Sequence, residues 1–180
     1  MTKAAMVKSI SVLVIICIVI SGALAIVNSF TAPVIEKARI ERENASRLKL
    51  LPGVTGFRKI SLEGLPASIT SAYSGQDAHG NIEGYVFSAG HKGFDGTISV
   101  MTAFNLDGRI ANVATMDVTS ETKTLGGLTA SPNYTNQYIG KDASLEGVDG
   151  ISGATITSTA YEACVLDCFT AFELVKEAAQ

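Results

Sequence analysis

The stretch Thr97-Ile98-Ser99-Val100-Met101-Thr102-Ala103-Phe104-Asn105-Leu106-Asp107-Gly108-Arg109-Ile110-Ala111-Asn112-Val113-Ala114-Thr115-Met116-Asp117-Val118 decides the fold. Its two β-branched, alternating arms flank Asp107-Gly108, a pair that tolerates the positive φ of a tight hairpin turn. Upstream, residues 69–73 and 82–88 alternate in the same way, so the middle of the chain reads as an antiparallel sheet. Downstream, residues 155–178 place Tyr161, Cys164, Val165, Cys168, Phe172 and Val175 at helical spacing, with Glu162, Asp167, Glu173, Lys176 and Glu177 on the other faces. A short helix is expected over residues 133–139. Strands followed by a closing helix define an α+β domain.

Upstream of the sheet the pattern changes twice. Residues 9–35 contain no charge, and residues 10–30 are almost wholly Val, Ile, Leu, Ala and small residues. Twenty-odd helical residues at about 1.5 Å each span the roughly 30 Å hydrocarbon core of a bilayer. A cleaved signal peptide is the alternative, with Lys3 and Lys8 as its basic start and Ala23-Leu24-Ala25 as a small-x-small site. The apolar run continues through Ile26 and Val27, which favours a retained anchor. Pro33 can restart a helix at its first turn, and residues 34–51, rich in Glu, Lys, Arg and Ala, end at Pro52-Gly53. The expected organisation is therefore an N-terminal membrane anchor (residues 1–32), a charged stalk helix (33–53) and a sheet domain (54–180). Basic residues flank the anchor on both sides, Lys3 and Lys8 before it and Lys37, Arg39, Arg42, Arg47 and Lys49 after it. A long domain translocates largely regardless of such charges, and the signal-like start favours an extracytoplasmic domain.

Composition narrows the function. The 180 residues are 47% apolar with a mean hydropathy of +0.29, which excludes a disordered chain. Lys and Arg number 14 against 17 Asp and Glu, leaving no basic surplus for nucleic acid. Cys17 lies in the apolar run, and Cys164 and Cys168 share one face of a helix, where parallel Cβ vectors disfavour a bridge. No Cys-x-x-Cys motif joins His79 and His91, so no metal is expected. Gly-x-Ser-x-Gly, a phosphate loop ending in Gly-Lys-Ser/Thr and the dinucleotide fingerprint are all absent from the sequence.

What remains is Asp149-Gly150-Ile151-Ser152-Gly153-Ala154-Thr155-Ile156-Thr157-Ser158-Thr159, immediately ahead of the last helix. Small residues admit a ligand to the backbone, hydroxyls supply donors, and a helix start offers free N–H groups to an anion. The alternative is that Ser152, Thr155, Thr157 and Ser158 merely cap the helix. A second polar loop, residues 120–128, carries the adjacent glycines Gly126 and Gly127.

The order Asp149-x-x-Ser152-Gly153-Ala154-Thr155 resembles the flavinylation motif of the FMN-binding domain family. That family is found in the G subunit of Rnf-type ion-translocating ferredoxin:NAD oxidoreductases and the C subunit of sodium-pumping NADH:quinone oxidoreductases. Gly93-Phe94-Asp95-Gly96-Thr97-Ile98, Asp107-Gly108-Arg109-Ile110, Glu121-Thr122, Leu125-Gly126 and Gln137-Tyr138-Ile139-Gly140-Lys141 occur in the family's order. Its Glu-Thr-Pro-Gly-Leu-Gly loop is here Glu121-Thr122-Lys123-Thr124-Leu125-Gly126, which lacks the rigid proline and a permissive glycine. The short chain resembles the Rnf G subunit more than its counterpart.

The resemblance implies FMN joined covalently to Thr155 through a phosphoester. Ser152, Gly153 and Ala154 would shape its approach, Asp149 would assist a separate flavin transferase, and Thr122, Leu125 and Gly126 would form a second wall. Thr157 is then dispensable for attachment. It further implies an electron-transfer subunit with little activity alone, working in the cell membrane with other integral-membrane and electron-transfer subunits. A stand-alone extracytoplasmic flavoprotein carrier and a flavin-free pilin-like module are the alternatives.

Overall fold

The computed structural model describes residues 3–178. The chain forms two compact units, one up to Asn44 and one from Ala45 onward. In the first, helix α1 (Lys3–Leu50, running on into the second unit) passes through Pro33 without interruption, where the sequence suggested a restart. A proline removes one N–H from the ladder, and the helix continues on both sides of it although the flanking Thr31, Val34 and Ile35 are β-branched. Every side chain over residues 10–35 is exposed, although most are Val, Ile, Leu and Ala. The helix is long and apolar enough to cross a membrane. Two of its hydroxyls are folded back on the backbone: Ser29 Oγ donates to Ile26 O at 2.7 Å and Thr31 Oγ1 to Val27 O at 2.8 Å. Neither leaves a free donor facing outward.

The second unit is built on a five-stranded antiparallel meander, β1 (Gly56–Lys59), β2 (Ile69–Gln76), β3 (Ile82–Lys92), β4 (Thr97–Asn105) and β5 (Ile110–Asp117), in sequential order. The four strands anticipated from alternation are all present; β1, which has no alternation, was not. Strand β4 lies between β3 and β5 and is buried on both faces. Ile98, Val100 and Phe104 point to one core, Met101 and Ala103 to the other, as the period of two requires. The Asp107-Gly108 turn is confirmed, with Gly108 at φ +85°. Beside it the register shifts between the pairs Ala103↔Asn112 and Phe104↔Ile110. This bulge lets Ile110 and Val113, an odd number of residues apart, share one core.

Helix α2 (Pro132–Thr135) runs into a short 3-10 turn at Asn136–Tyr138, and helix α3 (Thr155–Ala178) crosses one face of the sheet. Its apolar stripe meets β3 and β4: the Phe104 ring lies 4.8 Å from Phe169 and 5.2 Å from Phe172, and Phe172 meets Tyr85 edge-on at 5.7 Å. The opposite face is covered by the end of α1 and the chain after it, through Leu50, Leu51 and Val54. Arg47 is buried there, its guanidinium 3.8 Å from the Tyr73 ring centroid, a cation–π contact made in a desolvated setting. Packing α3 on β3 and β4 brings the start of α3 beside the β3–β4 loop and the loop after β5, where the site lies.

Candidate cofactor site

The start of α3 explains the order of residues in its motif. Ala154 N–H donates to Ile151 O at 3.0 Å, closing a turn in which Gly153 takes φ +80°. A positive φ at the third position of such a turn calls for glycine. Ser158 N–H then donates to Ala154 O at 2.9 Å, the first rung of the helix. The residue before the helix is thus an alanine, and none of the four hydroxyls caps it. Ser158 Oγ instead accepts from Ile151 N–H at 2.9 Å, and Thr157 Oγ1 donates to Glu121 Oε2 at 2.8 Å. The N–H groups of Thr155, Ile156 and Thr157 have no acceptor within the helix, and they sit at the positive end of its dipole.

The two threonines of the motif are separated by environment. Thr157 is 1% exposed; Thr155 is exposed, and among the described residues its hydroxyl has no hydrogen-bond partner. Thr155 stands at the edge of a cleft of about 310 Å³ whose walls also include Gly153, Ala154, Thr122, Leu125 and Gly126. Six of the eight residues expected at the site therefore meet around one cavity. Ser152 lies on the far side of Thr155, in a second cavity of about 260 Å³ shared with Tyr134, Tyr138 and Glu162. Asp149 lines neither; it is exposed, and its N–H donates to Gln137 Oε1 at 3.0 Å. The loop lacking proline and glycine is held by other means, since Thr122 O accepts from the N–H groups of both Leu125 and Gly127 at 3.0 Å.

Besides Thr157, sequence reasoning left three contributors to the cleft unmarked as site residues. Phe94, 69% exposed on the β3–β4 loop, presents its ring at one wall, and Ile156 presents an exposed side chain at the helix start. Glu121 is the third: it is buried, accepts from Asp95 N–H at 3.2 Å through Oε1, and holds Thr157 through Oε2. A glutamate in a polar loop gives no sign of burial. The glycines around it do, since Gly93 and Gly126 have no room for a Cβ beside its carboxylate. On the side of the second cavity Tyr138 OH lies 3.1 Å from Tyr134 OH, and burial pushes the Tyr138 phenol well above its ordinary value, so it stays a neutral donor.

A cleft with apolar side chains on its walls, a free hydroxyl at its edge and unsatisfied N–H groups beside that hydroxyl suits an aromatic ligand bearing a phosphate. Comparison with known proteins agrees: residues 93–170 match the FMN-binding domain family. The matched residues contain β4, β5, both cavities and most of α3. Over nearly its whole length it is also similar to the G subunits of ion-translocating oxidoreductase complexes, as the motifs imply. It is 28% identical over 165 residues to the G subunit of the ion-translocating oxidoreductase complex of Methanosarcina acetivorans, covering 85% of this chain and 87% of that one. It is 28% identical over 174 residues to the G subunit of the Na(+)-translocating ferredoxin:NAD(+) oxidoreductase complex of Acetobacterium woodii, covering 83% of each.

Proposed function

We propose that this chain is the electron-transfer subunit of a membrane-bound, Rnf-type ion-translocating ferredoxin:NAD oxidoreductase complex, with FMN esterified to Thr155. The observation that carries this reading is the exposed, unpartnered Thr155 hydroxyl at the edge of the cleft, beside the free N–H groups of α3. Thr155 Oγ1 would give up its proton and attack the phosphorus of an FMN phosphoanhydride presented by a flavin transferase. The P–O bond of the anhydride breaks, the other phosphate leaves, and Oγ1 becomes the bridging oxygen of the phosphoester. The α3 N–H groups and dipole take up the phosphate's charge. Gly153 keeps the approach open, and Phe94, Leu125 and Ile156 offer apolar surface to a ring system. FMN, when bound, supplies the redox chemistry; the protein contributes position, shielding and electrostatics.

On this reading a separate flavin transferase installs the cofactor on the exposed turn, which includes Asp149 and Ser152. The domain stands on the extracytoplasmic side, tethered by α1 to the bilayer and to integral-membrane subunits. A tethered cofactor is retained where a free one would diffuse away. The test is Thr155→Ala expressed with a flavin transferase. It is expected to lose in-gel flavin fluorescence and the added mass of one FMN less one water. Covalent flavin retained on Thr155→Ala overturns the assignment, and a complex purified with no other membrane subunit would favour a stand-alone carrier.

A further inference from the structure

Three separate pieces of chain build the cleft: the β3–β4 loop with Phe94, the loop from Glu121 to Gly126, and the first turn of α3. All three converge on one buried carboxylate. Glu121 Oε1 accepts the Asp95 N–H of the first piece at 3.2 Å, and Oε2 accepts the Thr157 hydroxyl of the third at 2.8 Å. The carboxylate is also gripped by backbone. A Cβ built on Gly93 would lie 2.4 Å from Oε1, and one built on Gly126 would lie 2.3 Å from Oε2 and 2.9 Å from Thr157 Oγ1. Neither glycine has a positive φ, so each is glycine for space rather than for backbone conformation. Glu121 is 6% exposed and yet forms part of the cleft's lining.

A long, flexible, ionisable side chain is a costly choice for a buried strut, since burying it requires partners for both oxygens. A leucine or methionine of similar size would fill the space. The geometry points to Glu121 as the positioning residue of the cleft. It ties the three walls together and keeps a negative charge at the floor, which opposes electron uptake by the cofactor above it. This inference rests on the reading of the cleft as a flavin site. A fixed charge acts strongly here because the surroundings are poorly solvated, and an electron added to a flavin without an accompanying proton raises the negative charge that Glu121 faces.

Two variants separate the parts. Glu121→Gln keeps the volume, an acceptor for Asp95 N–H and an amide that can donate to Thr157, but removes the charge. It is expected to carry as much covalent flavin as the unaltered chain, to leave the Asp95 and Gly127 amides, bonded to Glu121 and Thr122, equally protected from hydrogen exchange, and to shift the flavin midpoint potential in the positive direction. An unchanged or more negative potential overturns the electrostatic role. Glu121→Ala releases all three walls. At least tenfold faster exchange at Asp95 and Gly127 is expected, measured on flavin-free chain, together with a several-fold lower flavin load. Unaltered exchange and load in Glu121→Ala overturn the positioning role. If the unaltered chain carries no covalent flavin, the functional reading fails and the electrostatic role with it, whereas the exchange of flavin-free Glu121→Ala still decides the positioning role.

Discussion

Thr157 donates its hydroxyl to Glu121 at 2.8 Å from a position that is 1% exposed, two residues beyond Thr155, whose hydroxyl has no partner among the described residues. Thr157→Ala should therefore keep the covalent flavin and lose stability, because it strips a buried carboxylate of one of its two donors. The expected loss is about 1–3 kcal/mol. Thr155→Ala should do the reverse, losing the flavin at almost no cost in stability. Urea unfolding followed by far-UV circular dichroism, run beside in-gel fluorescence, checks both halves.

A second pair ties α3 to the sheet edge. Asp167 Oδ2 lies 2.7 Å from His91 Nε2 and also accepts the Ser68 hydroxyl. Burial opposes ionisation of Asp167, but the Ser68 and His91 contacts outweigh it and hold the carboxyl below its ordinary value. A folded-state value below the unfolded one stabilises the protein above the unfolded value, near pH 4. That contribution is lost as pH falls through the folded value. Asp167→Asn should cost about 1–2 kcal/mol at neutral pH and flatten the decline of stability with pH on the acid side of pH 4. Thermal unfolding at a series of pH values from neutral to acid checks it, and parallel curves for the two proteins would refute it.

The sheet was legible because its core residues alternate: Ile98, Val100 and Phe104 announce one face of β4 without any knowledge of their partners. Helix α3 was legible for the same reason at a period of 3.6. Strand β1 was not, since Gly56-Phe57-Arg58-Lys59 has no alternation and pairs with β2 only because the chain after α1 delivers it there. In the site, the small and hydroxyl residues ahead of α3 marked the segment 149–159 by local rules about helix starts, whereas Thr155 itself was singled out only by the resemblance to the FMN-binding domain family. Asp149 and Ser152 share the motif with Thr155 but do not line the first cleft with it: Ser152 meets Thr155 only in the second cavity, and Asp149 lines neither. Glu121 was illegible as a site residue because its role depends on Gly93, Asp95 and Thr157, which lie 26 to 36 residues distant in the chain. Burial of Arg47 over Tyr73 was hidden in the same way, inside what reads as one more charge on a solvated stalk.

The thiols of Cys164 and Cys168 are free and buried on the face of α3 that meets the sheet. Burial pushes the Cys164 thiol up to about 12 and the Cys168 thiol higher still, so neither forms the reactive thiolate at neutral pH. Alkylation of the folded protein should leave both unmodified. Denaturant alone, without reductant, should expose both. A requirement for reductant in denaturant would show a disulfide and contradict the geometry of α3.

The last prediction concerns α1. Its exposed apolar side chains over residues 10–35 find no cover within the first unit, and a surface of that size is unstable in water. Retention of the helix in the mature protein follows if the segment acts as an anchor rather than a signal peptide. The chain should then stay with the membrane after carbonate washing and dissolve only in detergent. N-terminal sequencing should not begin at Ile26, the residue after the Ala23-Leu24-Ala25 site. Sidedness is a separate matter, because the basic residues that follow the helix outnumber Lys3 and Lys8 before it and on that count alone would hold the domain inside. A long domain overrides such a count, and an extracytoplasmic position is the expected outcome. Alkaline phosphatase fused after Gln180 should be active and a β-galactosidase fusion inactive; the opposite pattern would place the flavin domain in the cytoplasm.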